Sequence, residues 1–226
     1  MEINKIATIK TDFDSKFGIP RQSGRICTAQ GTIVFEKDFQ NPDFIKDIEQ
    51  FSHLWLIWGF SENKNAKIHP TVRPPRLGGN KRVGVFASRS PFRPNSLGMS
   101  CVKLDNIIKS ENGFELIVSG VDLLNNTPIY DIKPYIPYTD CICNAKGGYA
   151  EENKDYRLTV NFQNELLNII PKNKQQTVFD LLADDPRPSY QHDSNRIYGF
   201  DFAGYNIKFK VNENILTVTS VTKNKI

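Results

Sequence analysis

The chain lacks most of the short motifs that announce a cofactor enzyme. No Gly-x-Gly-x-x-Gly follows a strand-like run, so a Rossmann-type dinucleotide or methyltransferase site is not indicated. No Walker-type phosphate loop, no His-Glu-x-x-His and no Gly-x-Ser-x-Gly occurs either, which removes the common nucleotide hydrolase, zinc protease and serine hydrolase readings. No apolar run approaches the roughly 20 residues of a membrane span. The first residues, Met-Glu-Ile-Asn-Lys, lack the apolar core of a signal peptide, so a cytoplasmic location and no membrane partner are expected. Cysteine is scarce, and Cys27, Cys101, Cys141 and Cys143 are expected to be reduced thiols. Cys141-Ile-Cys143 has one intervening residue, not the spacing of a zinc knuckle, and His53, His69 and His192 are far apart; no metal is expected.

One absence is local. No Asp or Glu occurs between Glu62 and Asp105, and that window holds nine Lys or Arg. It therefore carries +9 in a chain whose net charge is +4, leaving −5 for the rest. Arg73, Arg76, Lys81, Arg82, Arg89 and Arg93 are interleaved there with Pro and Gly. A basic run is either a solvated loop or a surface for an anion such as a phosphate backbone. Cations placed on rigid and tightly turning chain gain nothing in packing, which favours the binding surface.

What is present suits a folded, strand-rich protein. At 226 residues, 39% hydrophobic and 24% charged, with fifteen Phe and eight Tyr, the chain has the bulk for a real core. Alternation predicts strands over 3–10 and 31–35. The stretch Phe13 to Gln22 reads as a Gly- and Pro-punctuated loop. Asn41-Pro42-Asp43 predicts a helix start, with Phe44, Ile48 and Phe51 on one face. Residues 51–60 predict a strand apolar on both faces, with His53 as a hydrogen-bonded core residue and Ser61 and Glu62 lining a pocket at its tip. Strand character resumes at Met99–Leu104, and Asn112-Gly113 signals a hairpin. A turn is expected at Asn125–Pro128. Prolines 128, 134 and 137 then make residues 129–138 a poor central strand. A polar linker over 141–156 leads to a strand around Leu158, Val160 and Phe162, and to helices around 163–170 and 174–183. Closing antiparallel strands carry Ile207, Phe209 and Val211 on one face. The class is mainly β, against a doubly wound α/β fold, with a division into residues 1–142 and an α+β portion over 143–226.

Four blocks line up in order: Lys16-Phe-Gly-Ile-Pro-Arg-Gln22; Phe51-Ser-His-Leu-Trp55; Val72 to Asn80 with Gly84 to Asn95; and Gly120-Val-Asp-Leu-Leu124 with Thr127-Pro128 and Asp131-Ile-Lys-Pro-Tyr135. Together they closely resemble the TsaA-like family of tRNA methyltransferases over about residues 3–140. Asp185-Pro-Arg-Pro-Ser-Tyr190 and Tyr198-Gly199 are similar to the accessory domain of bacterial members. The resemblance implies a small S-adenosylmethionine-binding β-barrel followed by a small α+β C-terminal domain, assembled as a homodimer. It implies methyl transfer to N6 of N6-threonylcarbamoyladenosine beside the tRNA anticodon. By position, the cofactor site would use Pro20, Arg21, Gln22, Ser61, Glu62, Arg89, Met99, Asn126, Thr127, Pro128 and Ile129. Ser61 stands where many members have His, and Ser96 where Pro is common.

The residue chemistry is compatible with that reading. The cofactor carries a carboxylate for a fixed Arg, and methyl transfer depends above all on in-line placement. The acceptor nitrogen loses a proton. Asp131 is the candidate to receive it, with Lys133 and Tyr135 positioning it; an ordinary Asp131–Lys133 ion pair is the equal alternative. Phe92, Tyr135 and Tyr190 are candidate platforms for anticodon-loop bases, or core residues. A non-catalytic RNA-binding module and an S-adenosylmethionine-binding sensor are the competing functions.

Overall fold

The computed structural model describes residues 2–63, 67–74, 81–110, 113–151, 154–187 and 193–224. Arg76, Asn112, Tyr190 and His192, all singled out in the sequence, lie outside them.

Among the described residues, six strands close a barrel. They are β1 (Ala7–Thr11), β2 (Gln30–Phe35), β3 (His53–Gly59), β6 (Leu97–Ser110), β7 (Gly113–Ser119) and β8 (Thr127–Pro134), in the spatial order β1-β2-β7-β6-β3-β8. Every pair in the barrel is antiparallel. β4 (Thr71–Val72) and β5 (Val83–Gly84) form a two-stranded ribbon on the long basic excursion between β3 and β6. Alternation builds the interior: Ile9, Ile33, Leu54, Leu56, Val102, Leu116, Val118 and Ile129 are each at most 1% exposed. The sequence places strand character from residue 3, but β1 begins at Ala7. The β6–β7 hairpin forms where Asn112-Gly113 announced it, with Ser110 opposite Gly113.

Three local expectations need correction. Residues 42–51 do not make one helix. Short 3-10 turns at Pro42–Ile45 and Ile48–Gln50 are separated by Lys46, extended at ψ 130°, and by Asp47, left-handed at φ +64°. Asn41 does accept from the Asp43 N–H at 3.0 Å, as its capping role requires, but Phe44 is exposed rather than on a buried face. β3 is buried on one face only: Leu54, Leu56 and Trp58 point inward, whereas His53, Trp55 and Ile57 are half-buried. His53 accordingly sits near the surface, its Nδ1 2.9 Å from Ser52 Oγ. β8, despite its prolines, is paired on both sides. The prolines fit because of where pairing stops. Pro128 faces β1 only, since pairing with β3 starts at Ile129, and Pro134 is the last residue of the strand.

After a short helix α1 (Pro137–Asp140), the chain builds a second sheet. β9 (Thr159–Asn161) lies parallel to β12 (Ile215–Lys223), which pairs with β11 (Tyr205–Asn212) and then β10 (Tyr198–Phe202). Helices α2 (Asn164–Leu167) and α3 (Lys172–Ala183) precede β10, and α3 buries Val178, Leu181 and Leu182. Ile207, Phe209 and Val211 occupy the inner face of β11, as their spacing predicts.

The two halves share one apolar core. Phe13 leaves the barrel and packs on Phe202, ring centroids 5.3 Å apart. Gly18 adopts φ +94°, and a Cβ there would lie 2.5 Å from the Phe200 ring, so only glycine brings this loop against the second sheet.

Candidate functional site

Five segments meet at one end of the barrel around a cleft of ≈ 600 Å³. They are the loop 16–22 after β1, the end of β3 from Ile57 to Glu62, the loop 88–93, the start of β6, and the link from Asp122 to Thr127. Local sequence explains their approach. Gly98 faces Trp58 across the β3–β6 ladder, and a Cβ at Gly98 would lie 2.4 Å from the indole ring. Glycine therefore lets the Trp58 ring lie flat across the neighbouring strand, where it forms the cleft floor.

Beneath that floor runs a hydrogen-bond chain of fixed direction. An indole N–H can only donate, so Trp58 Nε1 donates to Ser100 Oγ at 2.9 Å. Ser100, fully buried, donates its own proton to Asp122 Oδ1 at 2.6 Å. Asp122 is thereby held as an acceptor. Burial pushes its carboxyl up to about 6, against the pull of the Ser100 hydroxyl, the N–H groups of Asp122 and Ser23, and the Arg89 guanidinium. A carboxyl poised near neutrality in the wall of a cleft is a mark of a functional site.

The rim is held by arginines. Arg89 Nη1 donates to Gln22 Oε1, tying loop 88–93 to loop 16–22. Arg93 Nη1 reaches Ser88 O at 3.1 Å and braces its own loop. Arg21 lines the cleft, but its Nη2 donates to the carbonyls of Asp185 and Arg187, both at 2.8 Å. Those two residues form a buried fork: Arg187 Nε and Nη2 bind the Asp185 carboxylate at 2.8 and 3.0 Å. Arg25 adds a second tie, to the buried Asp184 carboxylate and to the Lys154 carbonyl at 2.8 Å. The C-terminal portion thus grips the loop that forms one wall of the cleft.

Of the sequence-predicted cofactor residues, Pro20, Arg21, Gln22, Ser61, Glu62, Arg89, Met99 and Thr127 line this cleft. Asn126, Pro128 and Ile129 flank it without lining it. Asn126 is at φ +65° in the turn and accepts from Lys10 Nζ, Pro128 pairs with Thr8, and Ile129 points into the barrel core. Asp131, Lys133 and Tyr135 are not in the cleft. They lie along β8 and just beyond it, where Lys133 Nζ and Asp131 Oδ2 form an exposed ion pair at 2.9 Å. Tyr135 packs beside Trp55, ring centroids 5.8 Å apart. Desolvation, then Cys141, Cys101 and Asp140, push its phenol upward, so Tyr135 stays a neutral hydroxyl at physiological pH.

Sequence reasoning passed over Trp58, Ser100 and Asp122. A signal existed: Asp122 interrupts the apolar run Val121-Asp-Leu-Leu124, where a carboxylate has to be desolvated or strongly partnered. Arg73, Lys81, Arg82 and Phe86 are exposed on the basic excursion, and Phe92 is edge-on to His69 at 5.6 Å.

Comparison with known proteins converges on one family. Residues 8–141 match the family model of the tRNA-methyltransferase O N-terminal domain, and 155–224 match that of the TrmO C-terminal domain. The chain is 34% identical over 220 residues to the tRNA (adenine(37)-N6)-methyltransferase of Escherichia coli (strain K12), covering 94% of each. It is 38% identical over 208 residues to the putative S-adenosylmethionine-dependent methyltransferase RcsF of Pseudomonas aeruginosa, covering 87% of each. The crystal structure of TrmO from P. aeruginosa superposes with a TM-score of 0.81 at 29% identity, covering 99% of this chain and 97% of that one.

Proposed function

We propose, from the premise that this chain belongs to the tRNA-methyltransferase O family, how its surfaces divide the work. It is an S-adenosylmethionine-dependent tRNA methyltransferase acting on N6 of adenine 37. The acceptor is N6 of N6-threonylcarbamoyladenosine, and the cleft at the Trp58 end of the barrel holds the cofactor. The observation that carries the cleft assignment is convergence: eight of the eleven residues expected by position to bind cofactor line one cavity.

The residues present fit the group. A cleft of ≈ 600 Å³ lies within the range of small-molecule sites. Arg89 offers a cation to a carboxylate, while Asp122 offers an acceptor to a cation or a hydroxyl. S-adenosylmethionine, when bound, supplies a methyl group activated on a sulfonium. The chain's own task is to orient: Gln22–Arg89 fixes the two rim loops, and Trp58 and Ser100 fix the Asp122 carboxylate. Pre-set geometry of this kind lowers the entropic part of the barrier.

The tRNA is recognised by the excursion between β3 and β6. Arg73, Lys81 and Arg82 supply exposed charge for phosphates, and Phe86 and Phe92 supply exposed rings for unstacked bases. The protein acts as a homodimer. Support comes from the outer face of β3, β6 and β8, where Trp55, Ile57 and Tyr135 are half-buried and Met99 is 48% exposed while also lining the cleft. A second copy on this face would cover those side chains and bring Asp131, Lys133 and Tyr135 of one protomer towards the cleft of the other.

Labelled methyl transfer to tRNA with and without the threonylcarbamoyl group tests the activity. Transfer to the modified tRNA alone is expected; equal transfer to both would overturn the acceptor assignment. Light scattering on the eluting protein tests the dimer, and a single-chain mass at micromolar concentration would overturn it. Affinity for tRNA is expected to fall steeply with salt.

A further inference from the structure

One group in the cleft stands against the charge of its surroundings. Its lining is rich in cations, with Lys16, Arg21, Arg89 and Arg93, yet the carboxylate of Asp122 is built into its wall. The environment of that carboxylate is constructed. Ser100 is 0% exposed, receives the Trp58 N–H and has only one proton to give, so Asp122 Oδ1 is bound to accept. Ser23 ties the same region to β6, because its Oγ accepts from the Cys101 N–H at 3.0 Å. An orienting chain of two residues, Trp58 and Ser100, under a carboxylate is more than an apolar barrel end requires.

The rim cations are largely committed. Arg21 is bonded to the Asp185 and Arg187 carbonyls, Arg93 to the Ser88 and Ser90 carbonyls, and Arg89 to Gln22. The charge that acts on Asp122 is the Arg89 guanidinium, and the other acid of the lining, Glu62, is exposed at the rim. None of the lining residues is a histidine. What Asp122 presents to a ligand in the inner cleft is an oriented negative charge in a desolvated place. A ligand group meeting it has to be a cation or a strong donor.

We propose that the Asp122 carboxylate receives a positive centre of S-adenosylmethionine, the α-ammonium or the sulfonium, and so sets how tightly the loaded cofactor is held. This rests on the cleft being the cofactor site. The two cationic centres have different consequences. The ammonium is common to the cofactor and to its demethylated product, S-adenosylhomocysteine. The sulfonium becomes a neutral thioether once the methyl has left. A carboxylate at the sulfonium therefore favours the loaded cofactor over the spent one and assists its exchange after each turnover.

Calorimetric binding of S-adenosylmethionine and S-adenosylhomocysteine, to the full chain and its variants, tests the inference. Asp122→Asn keeps an acceptor for Ser100 and removes the charge. The variant is expected to bind S-adenosylmethionine about tenfold more weakly, the range for loss of one charge-assisted contact. Unchanged S-adenosylhomocysteine binding assigns the sulfonium; an equal loss for both ligands assigns the ammonium. In the wild-type chain, a carboxyl that titrates at about 6 is mostly ionised at pH 7 and mostly protonated at pH 5. Affinity for the loaded cofactor should therefore drop about tenfold over that interval. This second measurement stands even if Asp122→Asn folds poorly.

Arg89→Ala separates the two possible failures. If that variant weakens binding while Asp122→Asn and the pH change do not, the cleft reading survives and the Asp122 inference is overturned. If neither variant alters affinity, the cleft itself is misassigned and the inference falls with it.

Discussion

Asp122 and Asp131 stand nine residues apart, on the two flanks of the same turn into β8. Their situations are opposite. Asp122 is desolvated at the end of a Trp58–Ser100 chain, with its carboxyl pushed up to about 6. Asp131 lies on the outside of the barrel, 47% exposed, paired with Lys133 at 65% exposure. One carboxylate is held by the fold; the other is held by its neighbour in sequence. The difference shows which kind of pairing local sequence reveals. Alternate residues on a strand share a face, so Asp131 and Lys133 declare themselves. A carboxylate whose partners come from β3 and β6 does not.

The same contrast holds for ion pairs, and it yields the largest expected effect. Arg187 and Asp185 form a bidentate pair at 6% and 7% exposure. Removing Arg187 leaves a buried carboxylate without its partner, in the loop whose carbonyls hold Arg21. Arg187→Ala is expected to cost about 3–5 kcal/mol in urea unfolding. Cofactor affinity should fall with it, since the wall built by loop 16–22 loses its brace. A loss below about 1 kcal/mol would place this pair in the same category as the exposed one.

Asp122 provides the next. Its folded-state carboxyl titrates at about 6, above the ordinary carboxylate value near 3.8. Between those values the folded chain binds more protons than the unfolded one, so this group makes stability decline as pH rises from about 4 to about 6. The total amounts to roughly 3 kcal/mol at most, at about 1.4 kcal/mol per unit. Asp122→Asn cannot titrate, so the stability difference between variant and wild type should widen in favour of the variant over that interval and level off above it. Parallel stability profiles from pH 4 to 7 would contradict the desolvated carboxyl.

Much of the fold was open to reading. The spacing of Ile207, Phe209 and Val211 follows from side-chain periodicity in strands, and the Asn112-Gly113 hairpin from the conformational freedom of its turn residues. The failures have physical causes. The apolar spacing of Phe44, Ile48 and Phe51 mimics a helix, but Lys46, extended at ψ 130°, and Asp47, at φ +64°, break it, and two non-helical residues have no periodic signature. Pro128 and Pro134 argue against a paired strand only if both edges need donors at those positions, which depends on register. In the site, Arg21, Gln22 and Arg89 were found by position against the family, not by chemistry. That Arg21 spends its guanidinium on the Asp185 and Arg187 carbonyls is a contact spanning 164 residues or more, and no local pattern carries it.

A smaller effect is expected from the glycine opposite Trp58. Gly98→Ala adds one carbon that would approach the indole to 2.4 Å, so the ring must shift from its place over Ser100. Over-packing of this size costs about 1–3 kcal/mol. Because Asp122 loses its orienting chain, cofactor affinity should weaken even in molecules that remain folded. A variant that binds as well as wild type, at full helix and strand content by circular dichroism, would show that the Trp58–Ser100 chain is structural ornament to the cleft rather than its support.

The smallest stability effect belongs to the exposed face, and it is the one that decides what that face is for. Lys133→Ala and Asp131→Asn each break a pair that water screens on both sides, so unfolding free energy should change by less than about 1 kcal/mol. Neither residue lines the cleft, so affinity for S-adenosylmethionine should stay within about twofold of wild type. If the proposed homodimer brings this face to the neighbouring protomer's cleft, turnover should nevertheless fall, with kcat reduced and cofactor affinity intact. Such a split cannot come from a merely structural ion pair. Unchanged turnover in both variants would leave Asp131 and Lys133 as an ordinary surface pair.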